Sequence, residues 1–280
     1  MRERGLGQAL RHGVLILAAA IFALPLYLAF VAATHPAKDL LAGVPIAPGN
    51  QLGANLWHVL TRGLPSSAPV TTLMANSAIM ALGISVGKLL ISIPAAYAVV
   101  FFRFRFRMAA FWLIFITLML PIEVRFFPTY QVTAQFGLLD SYGGLILPLV
   151  ASATATFLFR QFFMTFPVDL ADAARLDGTG PLRFLWSIVL PLSRTNLAAI
   201  FVLEFVYGWN QYLWPLIVTT SQHQATVVMG IQEMISSAQS FAVPQWNLVM
   251  AVALLAMVPP VLVVVVMQRW FVKGLMSGTN

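Results

Sequence analysis

The sequence predicts an all-α, polytopic membrane protein. Six transmembrane helices form a single domain over residues 1–280, with a helix–turn–helix segment in the cytoplasmic loop between the fourth and fifth. Three observations predict this. The chain is 60% hydrophobic and only 9% charged, against about 25% charged residues in soluble domains. A chain so poor in charge cannot cover its own surface against water and needs the bilayer as its solvent. Its apolar residues fall in runs that approach or exceed the ~20 residues needed to cross a membrane. Its 16 Lys and Arg crowd into some connecting segments and nearly vanish from others, the bias that sets topology.

The spans are expected at 13–33, 73–100, 109–128, 143–163, 195–218 and 248–267. Each is expected to be helical, because lipid cannot satisfy open backbone groups. The third is the weakest, since Pro121 stands at the outer end of its apolar run. The first follows Arg2, Arg4 and Arg11, and Val31-Ala32-Ala33 imitates a cleavage site. The apolar run is long for a signal peptide and further spans follow, so an uncleaved first helix is expected. Arg103, Arg105, Arg107, Arg160, Arg175, Arg183, Arg194, Arg269 and Lys273 share one side with the N-terminal arginines, whereas the other side holds only Lys38, Arg62 and Arg125. The positive-inside bias then places both termini in the cytoplasm. The net charge of +7 does not indicate nucleic acid, because the basic residues are scattered between apolar runs. The run Arg103-Phe104-Arg105-Phe106-Arg107 reads as a short basic turn anchored among lipid headgroups.

The outer loop from Thr34 to about Val70 carries Pro36, Pro45, Pro48, Pro65 and Pro69, so irregular structure is expected with a short helix near Leu56–Leu60. The cytoplasmic loop from Thr165 to Arg194 differs. Pro167 precedes Val168–Asp177, whose early acids suit a helix start. Gly178 and Gly180 break that helix, and Pro181 suits the start of a second, expected over Leu182 to about Val189 and ended by Leu190-Pro191. Leu170, Phe184 and Trp186 are expected as exposed apolar residues, a surface that docks something.

Asp172-Ala173-Ala174, then Gly178, Ile188 and Leu190-Pro191, resemble the cytoplasmic "EAA" loop of binding-protein-dependent ABC importer permeases, with Asp172 standing where that pattern has Glu. Phe115–Arg125, Phe205–Pro215 and Gln268–Leu275 resemble the carbohydrate-type group of that family. The run Ala151–Phe166 is similar to its permeases for sn-glycerol-3-phosphate. The resemblance covers nearly the whole chain. It implies the type I ABC importer permease fold and a non-catalytic membrane subunit forming half of a translocation path. The expected cargo is sn-glycerol-3-phosphate or glycerophosphodiesters, with a neutral sugar or oligosaccharide as the alternative. It implies as partners a second, different permease subunit, two ATPase subunits and a periplasmic binding protein. ATP and Mg would sit on the ATPase subunits and no cofactor on this chain. Asp172, Ala173, Ala174, Gly178, Ile188, Leu190 and Pro191 would couple the chain to ATP hydrolysis.

Charges inside a bilayer usually face a cavity or a partner. Ser85, Lys88 and Ser92 share a helical face, as do Ser152, Thr156 and Arg160, and Glu204, Gly208 and Gln211. These stripes either line the path or hydrogen-bond between helices. Tyr207, Trp209, Asn210, Gln211 and Tyr212 supply polar groups and stacking faces for a solute, or else an interfacial belt. Arg125 suits a passing phosphate, or pairs with Glu123. The stretch Gly83-Ile84-Ser85-Val86-Gly87-Lys88-Leu89 is one residue short of a phosphate-binding loop and lacks its hydroxyl residue. Gly83 and Gly87 instead read as a close helix contact. A stand-alone secondary transporter is a further alternative, disfavoured by the lack of an internal repeat. A membrane enzyme is disfavoured because no reactive cluster can be assembled from the spacing.

Overall fold

A computed structural model describes residues 2–62, 68–117, 122–238 and 243–277. Pro65, Leu118–Leu120, Pro121 and the side chains of Arg2, Arg4, Glu123 and Phe271–Leu275 lie outside the described residues. Among the described residues every regular element is helical. The chain divides into two compact units: Met1–Thr72 with Met229–Val258, and Leu73–Val228 with Pro259–Asn280.

The first unit contains α1 (Arg2–Ala33), α2 (Leu52–Thr61), most of α13 (Val227–Ala238) and the first part of α14 (Trp246–Ser277). From Val14 to Phe22, α1 exposes Val14, Leu15, Ile16, Leu17, Ile21 and Phe22, an apolar surface of the kind covered by lipid or by another protein. The end of α1 is held by polar bonds. Asn55 of α2 donates to the carbonyls of Ala33 (2.8 Å) and His35 (3.0 Å), and Asn247 of α14 donates to Asn55 Oδ1 (3.0 Å). Val31, Ala32 and Ala33, the stretch that imitates a cleavage site, are buried. The helix expected near Leu56–Leu60 is α2.

The second unit contains α3 (Val70–Phe101, from Leu73 onward), α4 (Arg107–Ile116), α5 (Ile122–Gln135), α6 (Tyr142–Ile146, extended by a 3-10 turn over Leu147–Leu149) and α7 (Ala153–Phe163). After them come α8 (Val168–Leu176), α9 (Pro181–Phe184), α10 (Leu190–Leu192), α11 (Arg194–Trp209) and α12 (Leu213–Val218). Its packing depends on close approaches to α3. A Cβ on Gly83 would lie 2.6 Å from Ile146, one on Gly87 2.6 Å from Val150, and one on Gly208 2.9 Å from the Ala81 backbone. Small residues here let helices meet at van der Waals range, the packing that substitutes for a hydrophobic drive inside lipid. Met80, Ile84, Leu145, Leu149, Trp214 and Val218 form one core; Ala96, Tyr97, Phe159, Phe163, Phe184 and Val189 belong to another.

Among the described residues, three helices are long and apolar enough to cross a bilayer alone: Arg11–Ala33, Val70–Phe101 and Trp246–Trp270. Tyr142–Leu149 with Ala153–Phe163 passes as a pair bent by 46°, with Ser152 capping α7 by accepting from Ala155 N (3.1 Å). The expected span 195–218 is broken: α11 ends at Asn210, whose Nδ2 bonds back to Val206 O (2.9 Å), and α12 restarts at Leu213. Pro215 lacks the N–H that a continuous helix would need. The stretch 109–128 includes most of α4 and the first half of α5.

Candidate functional site

The loop between residues 165 and 194 folds as two short helices joined by a tight turn. Asp169 lies in the first turn of α8, where the helix dipole favours a carboxylate. α8 ends in a Schellman motif: Thr179 N donates to Ala174 O (2.9 Å), Gly178 N donates to Arg175 O (3.0 Å), and Gly178 sits at φ +68°. That conformation disfavours any residue with a Cβ. Pro181 then opens α9 at a position where its missing N–H costs nothing. The second helix does not end at Leu190-Pro191 as the sequence led us to expect; it runs on through α10 to Leu192. It widens into a π turn over Leu185–Val189, with Leu190 N bonded to Leu185 O. This change of register spares the carbonyl that the Pro191 ring would otherwise strike. The chain then turns 79° into α11.

The loop is tied to α3 by a residue that sequence reasoning missed. Tyr97 donates its hydroxyl to Pro181 O at 2.8 Å, while its ring packs on Phe101 and Phe102 with centroids 5.0 and 5.6 Å away. Phe184 faces this aromatic end and is buried, which corrects its expected exposure. Leu170 is half-buried. Among the described residues of the loop, the exposed large apolar side chains are Val168, Leu176 (89%), Leu182, Trp186 (66%) and Leu192. Asp172 and Ala173 are exposed beside them, Ala174 is buried inward, and Ile188, Leu190 and Pro191 are half-buried. Asp172 is bonded to Arg175 at 2.9 Å.

A second cluster lies deep in the helices. Lys88 of α3 meets Glu204 of α11 at 2.6 Å, with both side chains only 7% exposed. The ammonium also stands 3.7 Å from the centre of the Tyr207 ring. Ser152 donates to the other Glu204 oxygen at 3.2 Å, and Ser92 donates to Ser152 O at 3.3 Å. Three helices thus share one charge-compensated network. The remaining stripe residues bond within their own helices: Ser85 donates to Leu82 O (3.1 Å) and Thr156 to Ser152 O (2.9 Å). Arg160 lies over the Phe111 ring at 4.1 Å. Trp209 is buried against Phe205, which leaves its face unavailable to a solute. Asn210 is exposed, Gln211 and Tyr212 are half-exposed, and Arg125 is exposed on α5.

Asp140 bridges two connecting segments. Its carboxylate accepts from Thr220 N (2.7 Å), Ser221 N (2.9 Å) and the Thr220 hydroxyl. These donors hold its pKa at about 2. Asn76 adds bonds to His223 O (2.8 Å) and Ala225 O (2.9 Å).

Among the described residues the chain is all-helical, with long apolar helices suited to a membrane and an apolar-tipped loop braced against one of them. Residues 88–277 match the family described as binding-protein-dependent transport system inner membrane component, and the chain belongs to it as a multi-pass permease subunit of an ABC transport system. Over 269 residues and 95% of each chain it is 54% identical to the sn-glycerol-3-phosphate transport system permease protein UgpE of Yersinia pestis bv. Antiqua (strain Antiqua). Over 280 residues and 99% of each chain it is 50% identical to the protein of the same name from Agrobacterium fabrum (strain C58 / ATCC 33970). Its fold is similar to a chain of a bacterial ABC transporter involved in the import of the acidic polysaccharide alginate, with a TM-score of 0.81, 21% identity and coverage of 97% and 98% of the two chains.

Proposed function

We propose that this chain forms half of the translocation path for sn-glycerol-3-phosphate or its glycerophosphodiesters. It would act with a second, different permease subunit, two ATPase subunits carrying ATP and Mg, and a periplasmic binding protein. The carrying observation is 50–54% identity over nearly the full length to relatives named for sn-glycerol-3-phosphate transport. The basic residues support termini and a coupling loop on the cytoplasmic side. Leu176, Leu182 and Trp186 would enter the ATPase cleft beside Asp172, Ala173 and Ala174. The Gly178 turn, with Ile188, Leu190 and Pro191 behind it, would keep the loop stiff enough to move as one body.

Within the path, Arg125, Tyr207, Asn210, Gln211 and Tyr212 are the groups we assign to the solute. A guanidinium offers a forked set of donors to a phosphate. The amides offer donors and acceptors to hydroxyls. Lys88 and Glu204 neutralise each other, and their place is the wall that holds α3 and α11 in register, with Trp209 packed in the same wall.

The test is ATPase activity of the complex containing this chain, reconstituted with its binding protein. Stimulation by protein loaded with sn-glycerol-3-phosphate, and none with a maltose-like sugar, is the expected result. Stimulation by sugar alone would overturn the substrate. A purified chain that brings no ATPase subunit with it would overturn the coupling.

A further inference from the structure

A cavity of about 330 Å³ opens between the inner end of α3 and the coupling loop. Its wall is aromatic, with Tyr97, Phe101 and Phe184, and its polar residues include Arg103 and Arg175. The volume lies at the lower end of the ~300–1,000 Å³ typical of small-ligand sites. The two ion pairs among the described residues are Lys88 with Glu204 and Arg175 with Asp172. Arg103 therefore has no carboxylate partner there. Arg175 has five donors, and its bond to Asp172 is made through one nitrogen. The cavity thus presents an uncompensated positive charge above an apolar floor. It sits two residues past the end of α3, where a membrane-crossing helix leaves the lipid.

We propose that this cavity binds an anionic phospholipid of the cytoplasmic leaflet. The proposal rests on the reading above that places the coupling loop on that side. A phosphodiester fits the guanidinium forks. The first methylenes of the lipid fit the ring-lined floor, which a free phosphate would leave unfilled. Arg105 and Arg107 follow in the same basic turn without lining the cavity. They strengthen the general attraction to an anionic surface, whereas Arg103 and Arg175 confer the specific contact. Because α3 and both helices of the loop contribute to the wall, the bound lipid braces the loop against the membrane and stabilises the arrangement that transmits ATPase motion.

The experiment purifies the intact complex into bilayer discs of phosphatidylcholine with or without phosphatidylglycerol. Lipid retained on this chain is read by native mass spectrometry. The wild-type chain is expected to keep phosphatidylglycerol over phosphatidylcholine. Arg103→Gln should lower that retention about tenfold, the loss of one charge-assisted hydrogen bond, and Arg105→Gln should leave it nearly unchanged. Equal losses in the two variants would reduce the effect to diffuse surface charge and overturn the site. Displacement of the lipid by inorganic phosphate or sn-glycerol-3-phosphate would identify a soluble-anion site instead. The same spectra show whether ATPase subunits accompany the chain, so failure of the permease reading is seen separately from failure of lipid retention.

Discussion

Lys88 and Glu204, 116 residues apart in sequence, meet at 2.6 Å with both side chains nearly closed from their surroundings. Removing one partner strands a buried charge, at a cost of about 3–5 kcal/mol, whereas removing both can be nearly neutral. Lys88→Met is therefore expected to lower the thermal stability of the solubilised complex strongly. Adding Glu204→Leu should restore much of the loss. A double variant as unstable as the sum of the single ones would deny the coupling.

Gly178 holds a left-handed backbone with open space around its Cα, so a substitution there acts through conformation and not through a clash. Gly178→Ala is expected to cost about 1–2 kcal/mol and to reduce ATP-driven uptake. Gly178→Asn should be milder, because Asn tolerates this conformation. Parallel measurement of uptake and substrate-stimulated ATPase checks the order; equal activity of Ala and Gly would show that the turn does not constrain the loop.

Tyr97→Phe keeps the ring packing and removes the one hydroxyl bond to Pro181 O. A net loss of about 0.5–1.5 kcal/mol is expected. It should appear as faster hydrogen exchange in residues 179–184, with α1 unaffected. Unchanged exchange in that segment would mean that the aromatic contacts alone hold the loop.

Asp140 contributes through its charged form. Its folded pKa of about 2 lies below the ~3.9 of an unfolded aspartate, so its stabilisation is fully present above about pH 4. It is lost as pH falls toward 2, when the carboxylate must take up a proton. Asp140→Asn should abolish this part of the acid dependence. Melting midpoints of both proteins between these pH values would show it, and parallel curves would contradict it.

Much of the loop between residues 165 and 194 was legible because its signals are local. Pro167, Gly178, Gly180 and Pro181 restrict their own backbone, and the Schellman turn forms where the glycine pattern placed it. The end of the second helix was not legible. Pro191 normally stops a helix, and only the π turn before it makes room. The candidate path was legible as a set of polar residues in apolar runs, but not as a division of roles. Trp209 turns inward onto Phe205 while its neighbour Asn210 is exposed, a difference set by helix rotation.

Composition and the spacing of charge were enough to assign the lipid environment, the helical class and the segment between the fourth and fifth expected spans. These follow from transfer free energies and backbone restrictions that each residue carries with it. Tertiary packing decided that Lys88 would be neutralised by Glu204, that Phe184 would be buried beside Tyr97, and that Asp140 would hold the segment at Thr220. Each depends on the rotation and register of helices distant in sequence. A hydrophobic pattern leaves both open, because inside lipid it does not tell one apolar helix face from another.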